Sequence, residues 1–130
     1  MDTFAKFIIP GIGFLATLIV GFWLSRAGKP YNGALFNVHK FIALGTVVFT
    51  AIQLNNLLKG SQVQPLFILS GIVAVIAVIA LFVSGAFLSI GNLNDGVMKL
   101  IHNIVPFLLV ISTGMAIFSL TGRIQSSTEA

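Results

Sequence analysis

The chain has 130 residues, of which 57% are hydrophobic and only 8% charged, and its mean hydropathy is +1.06. Soluble domains carry about 25% charged residues, so this composition excludes a water-facing globular surface and points to an integral membrane protein. Seven Lys/Arg stand against three acids with no basic run, a pattern of interfacial anchoring and not of nucleic-acid binding, and the lack of cysteine excludes disulfides, thiolate metal sites and thiol chemistry.

The first apolar run, Phe7 to Leu24, is long enough to cross the ~30 Å hydrocarbon core as a helix. Pro10 is expected in its first turn, where a missing N–H is tolerated, and Trp23 near its far end has the place of an interface residue. A cleaved signal peptide is the competing interpretation. Lys6 suits its charged start, but the run is long for such a segment and Ser25-Arg26-Ala27-Gly28 is a poor cleavage site. The loop Ser25 to Tyr31 holds Arg26, Lys29 and Pro30 and ends this helix, and Asn32 is then a good N-cap for a second helix from Gly33 to Leu58. Lys59-Gly60-Ser61-Gln62 reads as a turn, with Gly60 closing the second helix and Pro65 opening a third, uncharged span to Ile90. Gly91-Asn92-Leu93-Asn94 makes the next turn, and Asp95 caps a fourth helix over 96–121. The polar tail, Gly122 to Ala130, should be frayed. Short loops make sequential neighbours antiparallel. The expected fold is therefore all-α: one integral membrane domain over 1–130, a four-helix up-down-up-down bundle.

The two halves of this chain share a pattern. Asn-Gly-Ala-Leu-Phe-Asn-Val-His-Lys-Phe-Ile, from Asn32 to Ile42, recurs in outline 63 residues later as Asp-Gly-Val-Met-Lys-Leu-Ile-His-Asn-Ile-Val, from Asp95 to Val105. Chance similarity among apolar residues is the competing explanation. Read as a repeat, the match describes two similar helical hairpins related by a parallel two-fold axis. Each stretch holds one of the two histidines, His39 and His102, seven residues after its capping Asn or Asp. At 1.5 Å per residue both lie about 10 Å inside their helix starts. In the expected bundle helices 2 and 4 are parallel and diagonal, so the two rings share a depth and can face each other.

Imidazole inside a membrane is costly and is normally satisfied by a partner or a ligand. The bland alternative is two separate histidines near an interface, bonded to backbone or headgroups. Two neutral imidazoles aimed at a common centre form instead a bis-histidine axial set for haem iron. Tetrahedral zinc or copper would want more ligands, and neither cysteine nor an intramembrane carboxylate is present to supply them.

On these two positions the chain resembles the membrane b-type cytochromes, the cytochrome b and cytochrome b561 class, in which haem lies between diagonal helices and takes one histidine from each. The resemblance implies one haem b held by His39 and His102, and it rests on architecture and histidine placement, not on a long sequence match. Those families usually bind two haems with four histidines. Here the far end of helix 2 carries Gln53, Asn55 and Asn56 instead. A single haem near one face, as in membrane anchors that resemble those of succinate dehydrogenase, is then the expectation.

Around that site Lys99, three residues before His102, is the first candidate for a haem propionate, with snorkelling to headgroups as its ordinary alternative. Lys40, Asn37 and Asn103 are weaker candidates, and Arg26, Lys29 and Tyr31 on the same-side loop could also meet propionates, with interfacial anchoring as their favoured reading. Gly45, Gly71, Gly85 and Gly114 either make room for a macrocycle or let helices pack closely, and Gly85 and Ser89 form one small-xxx-small pair. Four positives, Arg26, Lys29, Lys40 and Lys99, lie on the histidine side against Lys6, Lys59 and Arg123 on the other, which leans toward a cytoplasmic histidine side. Electron transfer with a quinol or a partner subunit is the expected role, and no nucleophile–base set or carboxylate pair suggests a stand-alone enzyme. A haem-free accessory or assembly subunit of a larger membrane complex is the alternative. A transporter or channel would need ionisable residues deep in the bundle, and the spans hold no Asp or Glu.

Overall fold

The computed structural model describes residues 3–60, 62–91 and 95–128, with the side chains of 3–4 and 123–128 left aside. They form four helices: α1 (Thr3–Ala27), α2 (Gly33–Leu58), α3 (Pro65–Ile90) and α4 (Asp95–Thr128). All four are long and apolar enough to cross a membrane, which fits a multi-pass integral membrane protein. The expected turn residues Ser61 and Asn92 to Asn94, and the chain end Glu129–Ala130, lie outside the described residues.

The ends of α2 and α3 follow local chemistry. The Asn32 side chain accepts from the Ala34 and Leu35 amides at 3.0 and 3.1 Å, satisfying two of the N–H groups that a helix start leaves open. Gly60 follows α2 at φ +98°, and Gly91 closes α3 at φ +74° while its N–H donates to the Phe87 carbonyl, left-handed positions that glycine takes without a Cβ clash. Pro65 occupies the first turn of α3, where no N–H is required.

Three expectations need correction. Helix α1 starts at Thr3, ahead of the expected Phe7, so Pro10 lies inside it and not in its first turn. Lys6 does not hold the helix back, because a long side chain at a span's end can carry its charge to the interface. Asp95 is the first residue of α4 and not its cap; its carboxylate still lies in the first turn, where the helix dipole favours a negative charge. Helix α4 runs to Thr128, past the expected end at Thr121, since Gly122 keeps a negative φ and no proline follows to stop it.

The chain divides into two compact units, Met1–Lys59 and Gly60–Ala130, each a hairpin of two helices. In the first, Gly13 of α1 lies beside Thr46 of α2 and Gly21 beside His39, so the register falls on one helix as it rises on the other. Missing side chains at Gly13 and Gly21 let the helices approach closely. In the second, Ser70, Ala77 and Ser84 are the buried residues of α3, one every seven positions, and Ser112, Ala116, Ser119 and Leu120 are buried on α4. This small-residue seam replaces the expected Gly85/Ser89 pair, of which Ser89 is exposed. Each seam serine bonds to a carbonyl of its own helix: Ser70 to Leu66, Ser84 to Leu81, Ser112 to Leu109 and Ser119 to Ala116. A polar group in hydrocarbon must be satisfied internally, and among the described residues no buried side-chain nitrogen or oxygen lacks a partner. The outer surfaces are apolar, with Phe41, Phe107 and Phe118 each at least 70% exposed, which suits lipid or another apolar surface and not water.

Candidate functional site

Both histidines are half-buried within their own hairpins, and each rests on a glycine of the preceding helix. A Cβ placed at Gly21 would come within 2.8 Å of His39 Cε1 and 3.2 Å of its Nδ1. One at Gly85 would come within 3.1 Å of His102 Cε1 and 3.7 Å of its Nδ1. In both rings Nε2 is the farthest of these three atoms from the glycine. The two imidazoles therefore lean on their glycines by the Nδ1–Cε1 edge.

The glycine also exposes a hydrogen-bond acceptor. A helical side chain leans toward the helix N-terminus and covers the turn before it. Without one at position 21, the Thr17 carbonyl, four residues earlier, stays open to the neighbouring helix. His39 Nδ1–H donates to that oxygen at 3.1 Å. In the second hairpin the corresponding carbonyl, four before Gly85, belongs to Leu81. It accepts from the Ser84 hydroxyl at 3.2 Å, and the Ser84 oxygen lies 2.9 Å from His102 Nδ1. With the hydroxyl proton on Leu81, the Ser84 oxygen accepts from His102 Nδ1–H. One ring reaches its carbonyl directly and the other through a serine that is only 2% exposed.

The carbonyl acceptor fixes the hydrogen of His39 on Nδ1, so in neutral imidazole its lone pair is on Nε2, and His102 takes the same form when the Ser84 hydroxyl donates to Leu81. Metal-ligating histidines are held in the same way: one ring nitrogen donates to a carbonyl or polar group, which fixes the tautomer and leaves the other as ligand. The donor chemistry of His39 and His102 thus fits an axial ligand of haem iron. Among the described residues no three His, Cys, Asp or Glu side chains gather into a metal-binding group.

Of the other candidates Arg26 and Tyr31 lie at the α1–α2 connection, and Asn37, Lys40, Lys99 and Asn103 lie on the first turns of α2 and α4. Arg26, Lys40, Asn37, Lys99 and Asn103 are exposed, and Tyr31 is half-buried. Arg26 lies over the Phe22 ring at 5.0 Å, Lys40 over Phe36 at 5.2 Å and Lys29 over Tyr31 at 5.8 Å. Gly45, Gly71 and Gly114 face open space, so of the four glycines singled out only Gly85 touches a histidine. Thr17, Gly21 and Ser84 escaped sequence reasoning. A signal was present, since Gly21 and Ser84 each stand 18 residues before a histidine, with Gly85 one position nearer. Comparison with family models, with curated proteins and with solved structures finds no match for this chain.

Proposed function

We propose that the protein is a membrane haem b protein taking part in electron transfer, with His39 and His102 as the two axial ligands of one haem near one membrane face. The observation that carries this reading is the shared anchoring of the two rings, each resting on a glycine with Nδ1 in a hydrogen bond to the preceding helix. A haem held this way would pass single electrons by changing the oxidation state of its iron. The chain's own part is to orient two neutral imidazoles and keep their surroundings apolar. Low polarity around the site would disfavour the more highly charged oxidation state and so help to set the potential. In this reading the four helices form an up-down-up-down bundle in the membrane, with α2 and α4 on a diagonal. Lys99, Lys40 and Arg26 are then the nearest cations for the propionates, and a quinol or a redox subunit is the electron partner.

An absorption spectrum of the purified protein, taken with and without haem supplementation, tests the proposal. A Soret band with a sharp reduced α band is expected, and it should be lost on replacing either histidine by Ala. A colourless protein, or an unchanged low-spin spectrum in His39→Ala, refutes it. A second reading, a haem-free accessory or assembly subunit, is favoured by the broad apolar exposure of both hairpins and would then take its place.

A further inference from the structure

We propose that the α1–α2 turn of the first hairpin binds the phosphate of anionic phospholipids and sits at the membrane face where those lipids are concentrated. The charge of the chain is unevenly shared. The first unit holds Lys6, Arg26, Lys29, Lys40 and Lys59 against Asp2, a net +4, while the second holds Lys99 and Arg123 against Asp95 and Glu129, a net of zero. The first hairpin therefore carries the whole net charge of the protein. No acidic residue occurs between Asp2 and Asp95, so the chain is cationic throughout α1, the turn and α2.

Of those five cations Arg26 and Lys29 lie at the turn and Lys40 two helical turns into α2, and an aromatic ring positions each one. Arg26, in the last turn of α1, lies over Phe22; Lys29, in the connection, lies over Tyr31; Lys40 reaches back one helical turn to Phe36, toward the start of α2. Phe22 and Trp23 beside them are 63% and 64% exposed, so the turn carries an aromatic belt of the kind found at headgroup depth. Cation–π contact keeps the charges at that belt without neutralising them. The turn is short, since Gly28 leaves α1 at φ +74° and Asn32 already caps α2, so Arg26 and Lys29 stay close along the chain. The α2 N-terminus adds a partial positive charge there, while Arg26 opposes the partial negative charge of the α1 C-terminus. A phosphodiester with fatty-acyl chains matches both parts: its anion meets the cations, and its tails lie along the exposed apolar residues of α1 and α2.

The full-length protein, reconstituted with spin-labelled phosphatidylglycerol or spin-labelled phosphatidylcholine in a phosphatidylcholine bilayer, tests this by the fraction of each lipid that is motionally restricted. A selectivity for phosphatidylglycerol of about fivefold is expected for one cation beside the headgroup, and more for two. It should fall toward one at 1 M salt, where the screening length is about 3 Å. The triple variant Arg26→Gln/Lys29→Gln/Lys40→Gln should lose the selectivity, and Lys6→Gln/Lys59→Gln should keep it. Equal restriction of both lipids by the native protein overturns the proposal, as does selectivity that survives in the triple variant. The salt response of the native protein decides the matter even if that variant does not fold. The assay is run on haem-free and on haem-supplemented protein, because Arg26 and Lys40 are also the cations offered to the propionates, and selectivity of the haem-free protein tests this proposal by itself.

Discussion

Replacing Gly21 by Ala gives the sharpest test of how the histidines are held. The added methyl would lie 2.8 Å from His39 Cε1, so the ring must swing away, and it would also cover the Thr17 carbonyl that accepts from Nδ1–H. Loss of an interhelical hydrogen bond in a membrane costs about 0.6 kcal/mol on average and up to about 1.7. Crowding a packed contact adds about 1–3 kcal/mol, toward the lower end because the displaced atoms are the tip of a side chain. Helix propensity works the other way, since Ala is favoured over Gly by about 1 kcal/mol in a helix interior. The net is a destabilisation of about 1–3 kcal/mol. Gly45→Ala is the matched control: its Cβ meets nothing within 4 Å, so only the propensity gain remains and the variant should be about as stable as the parent or up to about 1 kcal/mol more so. Equilibrium unfolding in mixed micelles, followed by circular dichroism, should separate the two variants by about 1–4 kcal/mol. Nitrogen-15 resonances of the His39 ring should show the Nδ1–H form disturbed in Gly21→Ala alone. If both variants unfold together and the His39 resonances stay as in the parent, the glycine-anchored imidazole is wrong.

Gly85→Ala should cost less than Gly21→Ala in the same unfolding assay, because its Cβ would stop 3.1 Å from His102 Cε1 and the Leu81 carbonyl is already taken by Ser84. Ser84→Ala should destabilise by about 0.6–1.7 kcal/mol and mix the ring tautomers of His102 while leaving those of His39 unchanged, as read by nitrogen-15 shifts. Asn32→Ala should cost about 1 kcal/mol through the two amides that Asn32 caps, with hydrogen exchange rising first at Ala34 and Leu35. With four spans both chain ends should label from the same side of the membrane in a cysteine-accessibility experiment, and ends on opposite faces would end that topology.

Much of the fold was legible because it depends on local chemistry. Hydrophobic length marks a span, and Asn32, Gly60, Pro65 and Gly91 mark helix ends through caps and left-handed glycines that need only near neighbours. The failures were at α1 and α4, where Lys6 and Gly122 look like boundaries but do not stop a helix whose backbone bonds continue past them. The histidines were legible as one in each half because the repeat brings them into equivalent places. What holds them was not, because it depends on the register between two helices that the sequence writes far apart. A strict 63-residue offset pairs Gly21 with Ser84, yet in the folded hairpins Gly21 and Gly85 lie under the rings, one position out of step. That slip lets His39 meet the Thr17 carbonyl directly, whereas His102 meets Ser84. Sequence alone determined four long apolar helices and placed one imidazole in each half. Only packing decided that His39 addresses the Thr17 carbonyl and His102 the Ser84 hydroxyl, because a hydrogen bond between helices forms only where close approach uncovers a partner.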